Sequence, residues 1–148
     1  MSSPADYVLV LVPPLWVGMV LAISFLEAPL KFRAPGVTLA VGLGIGRRVF
    51  RALNSVEVVL AVALLAASAF INPGTTVWVL LIAAAVTLAI QVIVIRPPLS
   101  KRSDRILAGE TLPRSNVHYV YVALELVKVG LLIALAVDIA ARAVECLH

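Results

Sequence analysis

The sequence is poor in charged residues and in cysteine. Only 14% of its 148 residues are charged, whereas soluble proteins average about 25%. The single cysteine, Cys146, excludes a disulfide within the chain and a cysteine-cluster metal site. No lysine or arginine lies between Met1 and Asp6, so this segment lacks the basic start of a cleaved signal peptide. We therefore expect the first apolar run to be retained.

Apolar residues dominate the chain instead. They make up 62% of it and the mean hydropathy is +1.08, more than a soluble domain of this size could bury. A helix needs about 20 consecutive apolar residues to cross a bilayer core. Four runs approach this length, at residues 7–28, 53–71, 76–95 and 118–140. The sequence therefore predicts one all-α domain over residues 1–148, a four-helix transmembrane bundle.

Basic residues are concentrated in two segments between the apolar runs. Ten of the twelve lysines and arginines lie within residues 29–52 or 96–117, and the turn at 72–75 has none. The positive-inside rule then predicts two basic cytoplasmic loops and both termini on the non-cytoplasmic side of the cell membrane, inner or plasma. We expect the loops to contact anionic lipid of the bilayer, and we assign no nucleic-acid partner to the formal charge of +4.

Ionisable side chains within an apolar run are costly in a bilayer and point to a functional site. Most of them share one face of the fourth helix, at helical spacing: His118, Tyr121, Glu125 and Lys128. The other helices add Glu27, Asn54, Glu57 and Gln91, with Arg51 next to the second helix. Together these residues predict a polar, acidic pocket in the cytoplasmic half, for a cation, a proton or a small amphiphile.

The same residues also fit a structural role. Glu125 and Lys128 can pair on their own helix, Glu27 can lie at the interface beside Lys31, and polar side chains join helices within bundles. A protein of this kind would be an accessory subunit of a larger membrane complex. Since four helices leave little room for a pathway, a homo-oligomer or membrane complex is expected under every hypothesis.

The stretch from Arg48 to Glu57 resembles the Arg-x-x-Arg-Ala-x-x-Asn-x-x-Glu motif of the MAPEG family. Members of that family are trimeric four-helix membrane enzymes that bind glutathione. The resemblance implies a glutathione-dependent transferase or isomerase in which Arg51, Asn54 and Glu57 contact glutathione. The chain departs from the motif in its Ala-to-Asn spacing, which is one residue short and rotates Arg51 by about 100° relative to Asn54. The third helix also lacks the family's arginine and tyrosine cluster.

Short motifs along the whole chain are similar to a second family. They are Phe25 to Phe32, Val49-Phe50, Arg96-Pro97 and His118. This family comprises small four-helix membrane proteins of unknown biochemical function, whose animal members are associated with platinum-drug resistance. The resemblance implies a fold and a membrane location, but no reaction.

A weak internal repeat relates the two halves of the chain. Residues 28–31 resemble residues 97–101, and Glu57 follows Pro29 by 28 residues as Glu125 follows Pro98 by 27. The repeat predicts two helix pairs related by an axis along the membrane normal.

Overall fold

The computed structural model describes residues 3–112 and 116–148. Over these ranges the chain forms only helices and connecting turns, and the four long helices are α1 (Pro4–Lys31), α2 (Leu39–Ile71), α3 (Thr75–Leu107) and α4 (Asn116–Glu145). Each is long and apolar enough to cross a membrane. The predicted all-α four-helix bundle is therefore confirmed. Arg114, one of the basic residues of the second loop, lies outside the described residues.

The helices run up and down in chain order. Each packs against the next in sequence, and α4 closes the ring against α1. Asn72, in the left-handed conformation at φ 52°, ends α2. Arg142 of α4 donates to the carbonyl of Pro73 at 2.6 Å, which holds α4 to the α2–α3 turn. We call this the turn end of the bundle, and we call the opposite end, where α2 and α4 begin, the basic end.

The helices α2 and α3 extend well beyond the predicted apolar runs. α2 begins at Leu39 instead of residue 53, and α3 continues to Leu107 instead of residue 95. Thr38 caps α2 by accepting from the Val41 N–H at 3.2 Å. The bounds differ because the second apolar run begins only after Arg51 and the third stops before Arg96, Pro97 and Pro98, whereas the helical backbone continues through all of these residues. At about 1.5 Å per residue each helix is ~50 Å long, which exceeds a hydrocarbon core of ~30 Å.

A π-helical segment interrupts both α1 and α3, in each case just before the prolines of the sequence repeat. Leu21–Glu27 and Gln91–Ile95 are π-helical, with N–H groups bonded to the carbonyl five residues earlier. Pro29 and Pro97 follow closely, and a proline cannot donate to the α-helical ladder. The sequence repeat is thus matched by a repeated backbone feature.

The bundle is polar at its centre and apolar on its surface. Lys128 and Glu57 have no exposed surface, whereas exposures of 62%, 66% and 71% are found at Leu11, Val59 and Ile93. Soluble proteins show the reverse pattern for lysine and glutamate. Nearer the turn end the core is apolar, with Leu64 and Leu132 fully buried. This distribution fits a multi-pass membrane protein.

Candidate functional site

A charged network occupies the centre of the bundle. Lys128 of α4 places Nζ 2.5 Å from Glu57 Oε2 on α2 and 2.6 Å from Glu125 Oε1. The same ammonium donates to Gln91 Oε1 on α3 at 2.8 Å. From α1, Trp16 donates its indole N–H to Glu57 Oε2 at 2.8 Å. All four helices therefore meet at one site, and none of these five side chains is more than 1% exposed.

Further polar groups extend this network toward the basic end. Ser24, in the π-helical segment of α1, donates to Glu125 Oε2 at 3.2 Å. With its amide oriented to suit both neighbours, Asn54 donates to Glu57 Oε1 at 3.1 Å and accepts from the Arg96 guanidinium. Each carboxylate oxygen of the two glutamates thus has a hydrogen-bond or ion-pair partner, which for Glu125 Oε1 is the Lys128 ammonium.

The charges of the network are nearly balanced. Lys128 contacts both carboxylates and offsets one of their two negative charges, and Arg96 supplies the second positive charge through Asn54. A metal ion would have to displace one of these groups. Over residues 3–112 and 116–148 there is also no group of three His, Cys, Asp or Glu side chains that could hold a metal. The network is suited to joining helices more than to binding a cation.

A groove of about 510 Å³ opens beside the network at the basic end. Its walls are apolar and rich in aromatic rings: Phe25, Phe32, Phe50, Leu99 and Val122. Its polar lining comprises Ser24, Lys31, Arg47, Arg96, Ser100, Ser103, His118, Tyr121 and Glu125. Tyr121 is only 8% exposed, and its hydroxyl, although close to Glu125, makes no hydrogen bond of ordinary geometry within the described chain.

Two glycines of α2 allow the α1–α2 connection to form one wall of the groove. The Phe32 ring lies against Gly42 so closely that any side chain at position 42 would overlap it. A Cβ at Gly46 would likewise stand 2.7 Å from Lys31 Nζ. The glycines are one helical turn apart, so they present a continuous flat strip to the connection.

A second cavity, of about 660 Å³, lies between α2 and α3 at the basic end. Its lining includes Arg47, Arg48 and Arg51 from α2 and Arg96 from α3, and we call it the arginine cavity. Arg96 also donates to the backbone carbonyl of Arg47 at 3.1 Å. Arg47, Arg96 and Ser100 line both the groove and the arginine cavity, so the two are adjacent.

The chain matches no protein-family model, no curated protein and no solved structure. Both resemblances noted in the sequence therefore stay predictions. The three residues implied by the MAPEG motif do not form one surface: Arg51 and Asn54 line the arginine cavity, whereas Glu57 is directed into the central network.

The structure brings most of the predicted site residues together. Glu57, Gln91, Glu125 and Lys128 are in direct contact, and Asn54 joins them through Glu57. Tyr121 connects the network to the groove, because its carbonyl lies 3.5 Å from Gln91 Nε2 while its side chain lines the groove.

Three predicted residues lie apart from the network. Glu27 forms an ion pair with Lys31 at 3.7 Å, as the structural alternative expected. His118 is exposed and lines the groove, and Arg51 is exposed in the arginine cavity.

Sequence reasoning missed Trp16 and Arg96. A tryptophan in the middle of an apolar run carries one signal, because a buried indole N–H usually finds an acceptor. Arg96 was explained as a topological charge at the end of an apolar run. Arg96 directly follows the second π-helical segment, Gln91–Ile95. Because this segment changes the rotation of the later side chains about the helix axis, Arg96 is directed toward Asn54.

Proposed function

We propose that this chain is a multi-pass membrane protein that binds a small anionic amphiphile in the groove at its basic end. The observation that carries the proposal is the meeting of aromatic walls with two arginines in one groove. A volume of about 510 Å³ falls within the range of small-molecule sites, about 300–1,000 Å³. The apolar part of the ligand would pack on Phe25 and Phe50, with its head group at Arg47 and Arg96.

The chemistry of the lining residues supports an anion more than a cation. Glu125 also lines the groove, but Lys128 and Ser24 occupy its two oxygens. The Tyr121 hydroxyl, which lies close to Glu125, provides a neutral donor that can rotate toward a head-group oxygen. A cation or a proton would have to open the central network, so these ligands have less support.

Displacing Phe32 from the wall of the groove should weaken amphiphile binding. Gly42→Leu places a side chain where the Phe32 ring lies, and we expect affinity for dodecanoate to fall roughly tenfold, or about 1.4 kcal/mol. Fluorescent dodecanoate would be titrated into protein in nanodiscs of zwitterionic lipid, with empty nanodiscs as background. Dodecyltrimethylammonium, of equal chain length and opposite charge, is expected to compete poorly.

Gly130→Leu is the matched control. It makes the same substitution on α4, where an added Cβ meets no atom within 4 Å. Its affinity should equal that of the wild type, and Tyr121→Phe should weaken binding with unchanged thermal stability. Equal affinities in Gly42→Leu and Gly130→Leu, or equal competition by the cationic amphiphile, would contradict the proposal.

We also propose that the basic end faces the cytoplasm and that both termini lie outside. The support is the charge asymmetry between the two ends, since Arg142 is a lone basic residue near the turn end. A membrane-impermeant maleimide should label the exposed Cys146 on intact cells. The variant Cys146→Ser/Thr111→Cys, with its cysteine at the basic end, should be labelled only after permeabilisation. The reverse pattern would invert the proposed orientation.

A further inference from the structure

The arginine cavity concentrates positive charge that the described part of the protein does not balance. Arg47 pairs with Asp104, and Arg96 is held by Asn54 and by the carbonyl of Arg47. Across residues 3–112 and 116–148 the side chains of Arg48 and Arg51 have no acidic partner. Four guanidinium groups thus line one concave surface with a single carboxylate paired to them.

The backbone explains why these charges converge. Arg51 follows Arg47 by four residues and Arg48 by three, so its side chain lies next to both of theirs on the surface of α2. Arg96 meets this face from α3, because both helices continue past the apolar runs and pack together at the basic end. Its hydrogen bond to the Arg47 carbonyl fixes the guanidinium before any ligand arrives. The cavity is therefore preorganised for an anion.

We propose that the arginine cavity binds a phosphoryl group, either a phosphomonoester or a diphosphate. Arginine forks bind phosphate oxygens in pairs, and a dianion offers two charges to Arg48 and Arg51, the two guanidiniums without an acidic partner among the described residues. A single carboxylate would leave one of these charges uncompensated. The side chains of Ser55 and Asn54 add polar contacts, and Val58 and Leu107 accommodate an organic substituent. The phosphoryl group belongs to a lipid head group or to a soluble phosphate compound.

This site goes beyond the groove proposed above and does not depend on it. The groove and the arginine cavity share Arg47 and Arg96, but Arg48 and Arg51 line the arginine cavity and do not line the groove. Substituting Arg48 and Arg51 therefore tests phosphoryl binding alone. Dodecanoate binding in the groove should be retained in the same variant.

The experiment compares two double variants of equal charge. Arg48→Gln/Arg51→Gln removes the unpaired cavity arginines, and Arg33→Gln/Lys101→Gln removes two basic residues of the same end that line neither the groove nor the arginine cavity. Pyrophosphate would be titrated calorimetrically into each protein in zwitterionic nanodiscs. We expect the cavity variant to bind roughly tenfold more weakly or worse, because charge-assisted hydrogen bonds are lost, and the control to match the wild type.

A second experiment, with lipids, distinguishes a lipid head group from a soluble phosphate compound as the source of the phosphoryl group. Melting temperatures are compared in nanodiscs that contain phosphatidic acid, a phosphomonoester, or phosphatidylglycerol, a diester, at equal surface charge. Pyrophosphate binding that is lost in the cavity variant assigns the site to a soluble phosphate. Stabilisation by phosphatidic acid without pyrophosphate binding assigns it to a lipid head group.

Three outcomes would overturn the proposal. The first is that the wild-type protein neither binds pyrophosphate nor is stabilised by phosphatidic acid. The second is an equal loss of pyrophosphate affinity in both double variants, because such a loss would reflect the general charge of the surface and not a specific site. The third is glutathione binding more tightly than pyrophosphate with the same dependence on Arg48 and Arg51, which would point to a peptide carboxylate.

Discussion

Lys128→Met is expected to lower the free energy of unfolding by about 3–5 kcal/mol. The substitution keeps an unbranched side chain, one atom shorter, but leaves Glu57 and Glu125 as two neighbouring carboxylates without their shared ammonium. Both are at most 1% exposed, so water cannot replace the lost partner. Reversible unfolding of the detergent-purified protein in a dodecyl sulfate titration measures the difference.

Two further variants separate charge from shape. Glu57→Gln/Glu125→Gln/Lys128→Met removes all three charges and retains acceptors for Trp16 and Ser24, so stability should return close to that of the wild type. Lys101→Met changes an exposed lysine in the same way and should have almost no effect. Wild-type stability of Lys128→Met alone would show that the network does not hold the helices together.

Trp16→Ala is expected to produce the second large effect, a loss of about 3–5 kcal/mol. The indole is completely buried, and its removal leaves a cavity at the point where α1 meets the other helices. It also takes one donor from Glu57. The same dodecyl sulfate titration measures the loss, with α-helix content followed by circular dichroism.

Trp16→Phe and Trp78→Phe form a matched pair for the hydrogen bond itself. Each removes an indole N–H, from Glu57 at 2.8 Å in the first case and from Asn72 at 3.1 Å in the second. We expect Trp16→Phe to cost about 1–3 kcal/mol, because a charged acceptor is left buried, and Trp78→Phe about 1 kcal/mol or less, because water reaches the turn end. Equal losses of unfolding free energy in Trp16→Phe and Trp78→Phe would mean that burying the hydrogen bond adds nothing to its contribution to stability.

Much of the fold could be predicted from the sequence because a bilayer imposes length and hydropathy on each helix. The face formed by Tyr121, Glu125 and Lys128 was predictable for a similar reason, since helical spacing is a local property. The ends of α2 and α3 could not be predicted from hydropathy, because a helix continues wherever its backbone hydrogen bonds are satisfied.

The contacts between helices could not be derived from spacing alone. Lys128 joins Glu57 because α2 and α4 turn their polar faces to the same axis, and no local pattern specifies that rotation. The π-helical segment that begins at Gln91 also shifts the phase of every later side chain in α3. Arg96 therefore reaches Asn54 from a position that sequence reasoning assigned to membrane topology alone.

The ion pair between α2 and α4 has a consequence for biogenesis. Glu57 is synthesised long before Lys128, so α2 enters the membrane without its partner, and a lone charge there costs about 2.5–3.5 kcal/mol on the insertion scale. α4 arrives almost neutral, because Glu125 and Lys128 are already one turn apart. We therefore expect α2 to remain beside the translocon until α4 is inserted, so that the two helices integrate as a pair.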